Sequence, residues 1–261
     1  MQSRISVLIS TFNNRRFVEK KLDEIRRQTI FDQAEFLFIE TGSPEREREL
    51  LAPFCAEHPN CRLLTVDDRK SLYEAWNLGW DAARSPLLCN SNMDDAMHPC
   101  LLEYVADAME RKRWDACSVL IARQFMDEHW NDWSPARLRG LSLGRRPGPF
   151  TAWRTALQDR IGKFDERFFI AGDLDFWSRI VAQKLAIGLV RKVLYFYTRN
   201  PEQISKSAAY RSRKENDRKL MSEKPYPISW PPTIRWQVLF LRYWLKLAPG
   251  TLCVPTPKAS T

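Results

Sequence analysis

No pair of closely spaced thiols occurs in this 261-residue chain: Cys55, Cys61, Cys89, Cys100, Cys117 and Cys253 form no C-x-x-C, and the three histidines are scattered. That spacing excludes the usual zinc sites. The thiols read as reduced residues of a cytoplasmic protein. No apolar run approaches the ~18–20 residues needed to span a bilayer. The opening stretch MQSRISVLISTF is too short in its apolar part, and lacks the small-residue cleavage site, to be read as a signal peptide.

What is present is an ordinary globular composition with 44% apolar residues. The length suits one large domain, or one domain with an appendage. The net charge of +9 is unevenly placed. From Arg191 onward there are 14 Lys or Arg against 4 Asp or Glu, whereas the first 190 residues hold 27 against 28. A near-neutral body with a basic tail implies an anionic partner: a nucleic acid, a phosphorylated ligand or a membrane surface.

Apolar runs at 4–10, 35–40, 62–66, 86–90 and 117–122 read as strands. Between them, 15–28 reads as a helix burying Phe17, Val18, Leu22 and Ile25, and 99–113 as a helix starting near Pro99. Residues 71–83 open with Ser71 and Glu74 in capping-box spacing. Alternating strands and helices predict a mostly parallel sheet covered on both faces, which binds ligands beyond the carboxyl ends of its strands. Glu40, the segment STFNN (10–14) and NMDD (92–95) all fall at such ends. Adjacent Asp94 and Asp95 repel each other, so that pair is either a solvated polar turn or a site for a hard cation. Residues 130–150, rich in Gly, Pro and Arg, read as a long mobile loop. Residues 164–184 return to order and end in a helix burying Phe176 or Trp177, Ile180 and Val181. Asp173 and Asp175 stand two apart near its start and point to different sides, so at most one faces a cleft. The other reads as structural, favoured at a helix N-terminus.

Taken in order, STFNN, ETGS, SLYEAWNLGWDAARSPLLCNSNMDD and GKFDERFFIAGDLDFWSR resemble the glycosyltransferases of family 2, over residues 4 to about 205. The variety most similar to it is found among enzymes of bacterial surface polysaccharides. The resemblance implies a GT-A fold: Rossmann-like, mostly parallel, with helices on both faces, over residues 1–208. A basic, aromatic-rich helical appendage would follow over 209–261. It implies that Thr11 and Asn13 lie near the nucleoside. Glu40 stands where the family usually has an Asp that contacts base or ribose. Arg69 and Lys70 precede the helix carrying Asn77, which matches the family's A-x-N asparagine. Asp94 and Asp95 match the metal motif for Mn²⁺ or Mg²⁺, with Asn92 in place of its first Asp. Asp173 matches the catalytic base, although Gly172 replaces the usual Glu before it. Trp153 and Arg154 match a W-R pair that either lines the donor-sugar or acceptor pocket or belongs to the core. Arg199, Ser205 and Lys206 occupy a segment that often closes over the diphosphate.

The implied function is transfer, with inversion, from a nucleotide diphosphate-sugar, UDP first, to a hydroxyl of a glycan or lipid-linked acceptor. His98 reads as a turn residue rather than a ligand. A nucleic-acid-binding or scaffold protein using the basic tail is the competing reading, but no DNA- or RNA-binding motif accompanies the tail. A sugar-nucleotide pyrophosphorylase needs a glycine-rich first loop, and STFNNRR has none. Over 233–248 the chain reads as a helix with Arg235, Arg242 and Lys246 on one face among Trp and Tyr. That pattern suits the membrane interface, and a peripheral place on the inner membrane; packing on the domain or a dimer contact is the alternative.

Overall fold

In a computed structural model the chain is described over residues 2–125, 131–134, 142–143, 148–199 and 208–231. Four parallel strands form one side of the sheet: β1 (Ile5–Thr11), β2 (Ala34–Thr41), β3 (Cys61–Val66) and β4 (Leu87–Asn90), in the order β3-β2-β1-β4. The chain then continues through β5 (Ala96–Met97), β6 (Ala116–Phe125), β7 (Ser142–Leu143), β8 (Ala152–Arg154) and β9 (Ile187–Arg199). β8 pairs antiparallel with both β4 and β6; β9 lies parallel to β6, β5 closes the far edge, and β7 pairs with β6. The expected mostly parallel sheet is therefore present, with an antiparallel insertion.

Side-chain alternation along β1 explains why both faces are covered. Ile5, Val7 and Ile9 join one core cluster, with Phe17, Val18 and Ile25 of α1 (Arg15–Arg26) and Leu101, Leu102 and Val105 of α4 (Leu101–Lys112). Phe54 of α2 (Arg48–Glu57), a helix the sequence reading passed over, packs on the same face. Leu8 points the other way, into an aromatic cluster with Tyr73, Trp76 and Trp80 of α3 (Leu72–Ala82), Trp153, Phe164 and Phe176. The capping box closes as predicted: Ser71 Oγ accepts from the Glu74 amide at 3.2 Å, and Glu74 Oε2 accepts from the Ser71 amide at 2.7 Å.

The second half adds α5 (Gln158–Ile161), α6 (Gly172–Ala182) and α7 (Ala208–Ser222). Residues 209–231, which the sequence reading assigns to an appendage, pack on the sheet domain: Leu220, Met221 and Trp230 rest against the aromatic cluster. Most of the predicted loop 130–150, Ser205, Lys206 and the helix predicted over 233–248 lie outside the described residues. Among those described, no helix is long and apolar enough to cross a membrane.

Candidate active site

The carboxyl ends of β1, β2 and β4 bring the predicted polar segments to one edge. At the end of β1, Thr11 is buried and donates its hydroxyl to Glu47 Oε1 at 3.2 Å. Asn13 is exposed, adopts a positive φ of 55°, and donates its amide to Ser43 Oγ at 3.1 Å. The neighbouring Asn14 amide binds the same Glu47 oxygen at 2.6 Å. Glu47, fully buried, thus ties the first loop to the second. Arg69 stacks its guanidinium 3.2 Å from the centre of the Phe12 ring, a cation–π contact at the mouth of this edge. Lys70 is half-buried beside it.

Asp94 and Asp95 divide. Asp95 is fully buried, and both its oxygens are engaged: Oδ1 accepts from the Thr198 amide at 2.8 Å, and Oδ2 from Tyr195 Oη at 3.0 Å and Asn92 Nδ2 at 2.8 Å. Its main-chain oxygen takes a further bond from Lys21 Nζ at 2.7 Å. Lys21 is itself buried and paired with Glu24 at 2.8 Å. Burial, then the charge of Asp94, pushes the Asp95 carboxyl above its ordinary range. Asp95 therefore anchors β9 beneath the NMDD turn, although the sequence reading places it on the metal. Asp94 stays half-buried at the turn. Among the described residues no group of three or more His, Cys, Asp or Glu could hold an ion by itself. One carboxylate with the Asn92 carbonyl nonetheless suits a hard cation whose remaining ligands are phosphate oxygens.

Asp173 sits in the first turn of α6 and is half-buried. Its Oδ1 accepts from the Leu174 amide at 2.7 Å, and its own amide donates to Tyr73 Oη at 3.3 Å. Gly172 is explained by the same tyrosine: a Cβ there would lie 2.7 Å from Tyr73 Cε2. The ring fills the place of the glutamate expected before Asp173. Gly148 touches the other carboxylate oxygen, since a Cβ on it would collide with Asp173 Oδ2. Next to it, Pro149 offers its carbonyl to Asn90 Nδ2 at 3.3 Å, at the end of β4. Through Asn90, Pro149 and Gly148, the end of β4 and Asp173 are joined.

Three predicted site residues have other partners. Glu40 is fully buried, and its two oxygens hold the main-chain amide and Nε of Arg48 at the start of α2. Asn77 turns to the loop before α6, accepting from the Phe164 amide and donating to the Phe164 carbonyl and Glu166. Arg154 donates to the carbonyls of Met109 and Trp114 and so caps the end of α4, while Trp153 is in the core. Arg199 is exposed at the end of β9.

Asp175 is buried and structural: Arg179 Nε lies at 3.0 Å, Lys224 Nζ at 3.1 Å and Tyr226 Oη at 2.7 Å. Replacing it with Asn should lower stability by about 3 kcal/mol, because partly buried Arg179 loses its counter-charge while Lys224 keeps Asp165 at 2.7 Å. Denaturant midpoints read that loss, with UDP affinity unchanged.

His98 is a buried turn residue whose Nδ1 accepts from the Cys100 amide at 3.1 Å. Burial, then the charge of Lys192, lowers its pKa to about 4. An unfolded histidine titrates near ~6.5. Because the folded value is the lower one, its contribution to stability is present above about 6.5 and lost as the pH falls toward 4. Melting curves between pH 7 and 4.5 should show wild type losing more stability than His98→Asn, which keeps an acceptor but cannot charge.

The profile of Glycosyl transferase family 2 matches residues 6–171, most of the chain. The chain belongs to glycosyltransferase family 2. A curated relative, the uncharacterized glycosyltransferase EpsJ of Bacillus subtilis, is 20% identical over 219 residues; the match covers 77% of this chain and 62% of EpsJ. Among solved structures, the mannosyltransferase PcManGT from Pyrobaculum calidifontis, in complex with GDP-Man and Mn²⁺, aligns with a TM-score of 0.63 at 17% identity. That alignment covers 97% of this chain and 72% of PcManGT. TarS of S. aureus in complex with UDP-GlcNAc aligns at 0.62 and 13% identity, covering 97% and 76%. These likenesses fix the GT-A fold of this family 2 member. The sequence reading missed Tyr73, Gly148, Tyr195 and Thr198 as supports of the acidic residues. It also passed over Lys21 and Glu24, although their spacing from Phe17 and Val18 puts them on the buried face of α1.

Proposed function

We propose that this family 2 enzyme moves a sugar from a nucleotide diphosphate-sugar, a UDP-sugar first, to a hydroxyl of a glycan or lipid-linked acceptor in one inverting displacement. The observation that carries it is that the segment Gly148–Pro149 joins the end of β4, four residues before half-buried Asp94, to half-buried Asp173 at the start of α6. Thr11, Asn13, Arg69 and Lys70 line the edge that would receive the nucleoside and diphosphate. Asp94, with Asn92, would hold Mn²⁺ or Mg²⁺. When bound, that ion neutralises the leaving diphosphate as a Lewis acid. Asp173 accepts the acceptor hydroxyl's proton through its carboxylate, which only a glycine at 148 accommodates there. A covalent intermediate would need a second carboxylate, and neighbouring Asp175 is engaged with Arg179, Lys224 and Tyr226. The basic C-terminal region supports a peripheral enzyme meeting an acceptor at an anionic inner leaflet.

PcManGT was solved with a guanine nucleotide sugar and TarS with a uracil one, so the base is the first thing to test. A thermal-shift panel of nucleoside diphosphates and nucleotide sugars, with and without Mn²⁺, does so. A ligand at 100 times its Kd should stabilise the fold by about 2.7 kcal/mol. UDP with Mn²⁺ is expected to raise the midpoint; no shift with any nucleotide, with or without metal, would overturn the proposal.

A further inference from the structure

Asp217 lies on α7, beyond the residues that the family profile matches. It is 4% exposed, whereas residues 211–216 and 218–219 of the same helix are exposed. A carboxylate turned inward from a surface helix needs partners, and Asp217 has three. Oδ1 accepts from the Phe169 amide at 2.9 Å; Oδ2 accepts from the Ile170 amide at 3.0 Å and the Ala171 amide at 3.1 Å. These amides immediately precede Gly172, the first residue of α6. The residue just before α6, Ala171, has no side chain able to cap that end. Asp217 therefore pins, from a distant helix, the turn that leads into α6.

Asp173 is two residues past the last of those amides, so the course of the backbone at 169–171 sets where its carboxylate points. Other contacts from the same C-terminal segment reach the same helix. Lys224 and Tyr226 bind Asp175, and the Ser229 amide donates to Ser178 Oγ at 3.0 Å. Trp230 Cη2 lies 3.8 Å from the point where a side chain on Gly148 would begin, beside Asp173. The nucleotide edge, by contrast, is tied by Glu47 and the Phe12–Arg69 stack.

We propose that Asp217 is a positioning residue for the transfer reaction: it holds the turn that aims Asp173, and leaves nucleotide binding to the other edge. The proposal rests on Asp173 as the base. The test is steady-state kinetics of full-length Asp217→Ala and Asp217→Asn, using the nucleotide sugar selected by the donor panel, with UDP titrated calorimetrically into each. A small displacement of a reacting group costs up to about 10²-fold in rate. Asp217→Ala should lower kcat on that order while KM for the donor and the UDP Kd stay within about twofold of wild type. Asp217→Asn keeps one carbonyl acceptor at the same reach and should restore part of the rate. An unchanged kcat in either folded variant would overturn the proposal, as would kcat and UDP affinity falling together. Should the alanine variant fail to fold, the asparagine variant decides by the same split of kcat from KM. Failure of the underlying reading shows separately, as an Asp173→Asn enzyme that turns over normally.

Discussion

Replacing Asp173 by asparagine is expected to leave UDP affinity unchanged within about twofold and to lower the transfer rate by about 10²–10⁴-fold, the usual contribution of a positioned general base. The substitution preserves shape. Asn can still accept the Leu174 amide at its carbonyl oxygen, so the first turn of α6 keeps its local bond. Tyr73 still receives the amide of residue 173. What disappears is the ability to take a proton. Burial pushes the Tyr73 hydroxyl well above its ordinary pKa, so it stays protonated and is no substitute base near neutral pH. The neighbouring Asp175 is held in its ion pairs and turned to the C-terminal segment. The check is kcat against KM in wild type and variant. Full activity in Asp173→Asn, or its loss in Asp175→Asn without unfolding, would reverse the two roles.

Replacing Asp94 by alanine is expected to cost about 10³-fold in turnover at saturating Mn²⁺, on the scale of several kcal/mol of leaving-group stabilisation. The protein should keep its fold, because Asp94 is half-buried and Asp95 carries the buried contacts to Tyr195, Thr198 and Asn92. Asp95→Ala should behave in the opposite way. It removes the acceptor of three hydrogen bonds inside the domain, so its main effect is on stability. Turnover measured against Mn²⁺ concentration, alongside melting midpoints, separates the two. If both substitutions acted alike, the division between cation ligand and strand anchor would be wrong.

That division was only half visible in the sequence. The two adjacent carboxylates at a strand end pointed to a cation or a solvated turn. What fixes Asp95 is Tyr195 and Thr198, each about a hundred residues away along the chain. Pairings that distant leave no local period to read. The same reason hid β8 and β5, which are short and owe their place to partners in β4, β6 and β9. Elements with their own signal came through: the alternation of β1, the amphipathic α1 and α4, and the Ser71–Glu74 box. That at most one of Asp173 and Asp175 faces a cleft was legible because residues two apart on a helix do not share a face; the resemblance, not the spacing, singled out Asp173. Arg154 and Asn77 were not legible, since their motifs give residue types and not directions. Only packing turns one toward the end of α4 and the other toward Phe164 and Glu166. Glu40 adds a further lesson, because the longer side chain at that strand end is buried while it reaches a partly exposed Arg48.

The central claim is that Asp94 holds a divalent cation between this chain and a nucleoside diphosphate. Calorimetric titration of UDP into the full-length protein, once in Mn²⁺ and once in EDTA, tests it most directly. The expected result is binding that weakens at least about tenfold, or ~1.4 kcal/mol, without the metal. The same titration into Asp94→Ala should show no difference between the two buffers. Equal UDP affinity of the wild-type protein in Mn²⁺ and in EDTA would contradict the claim.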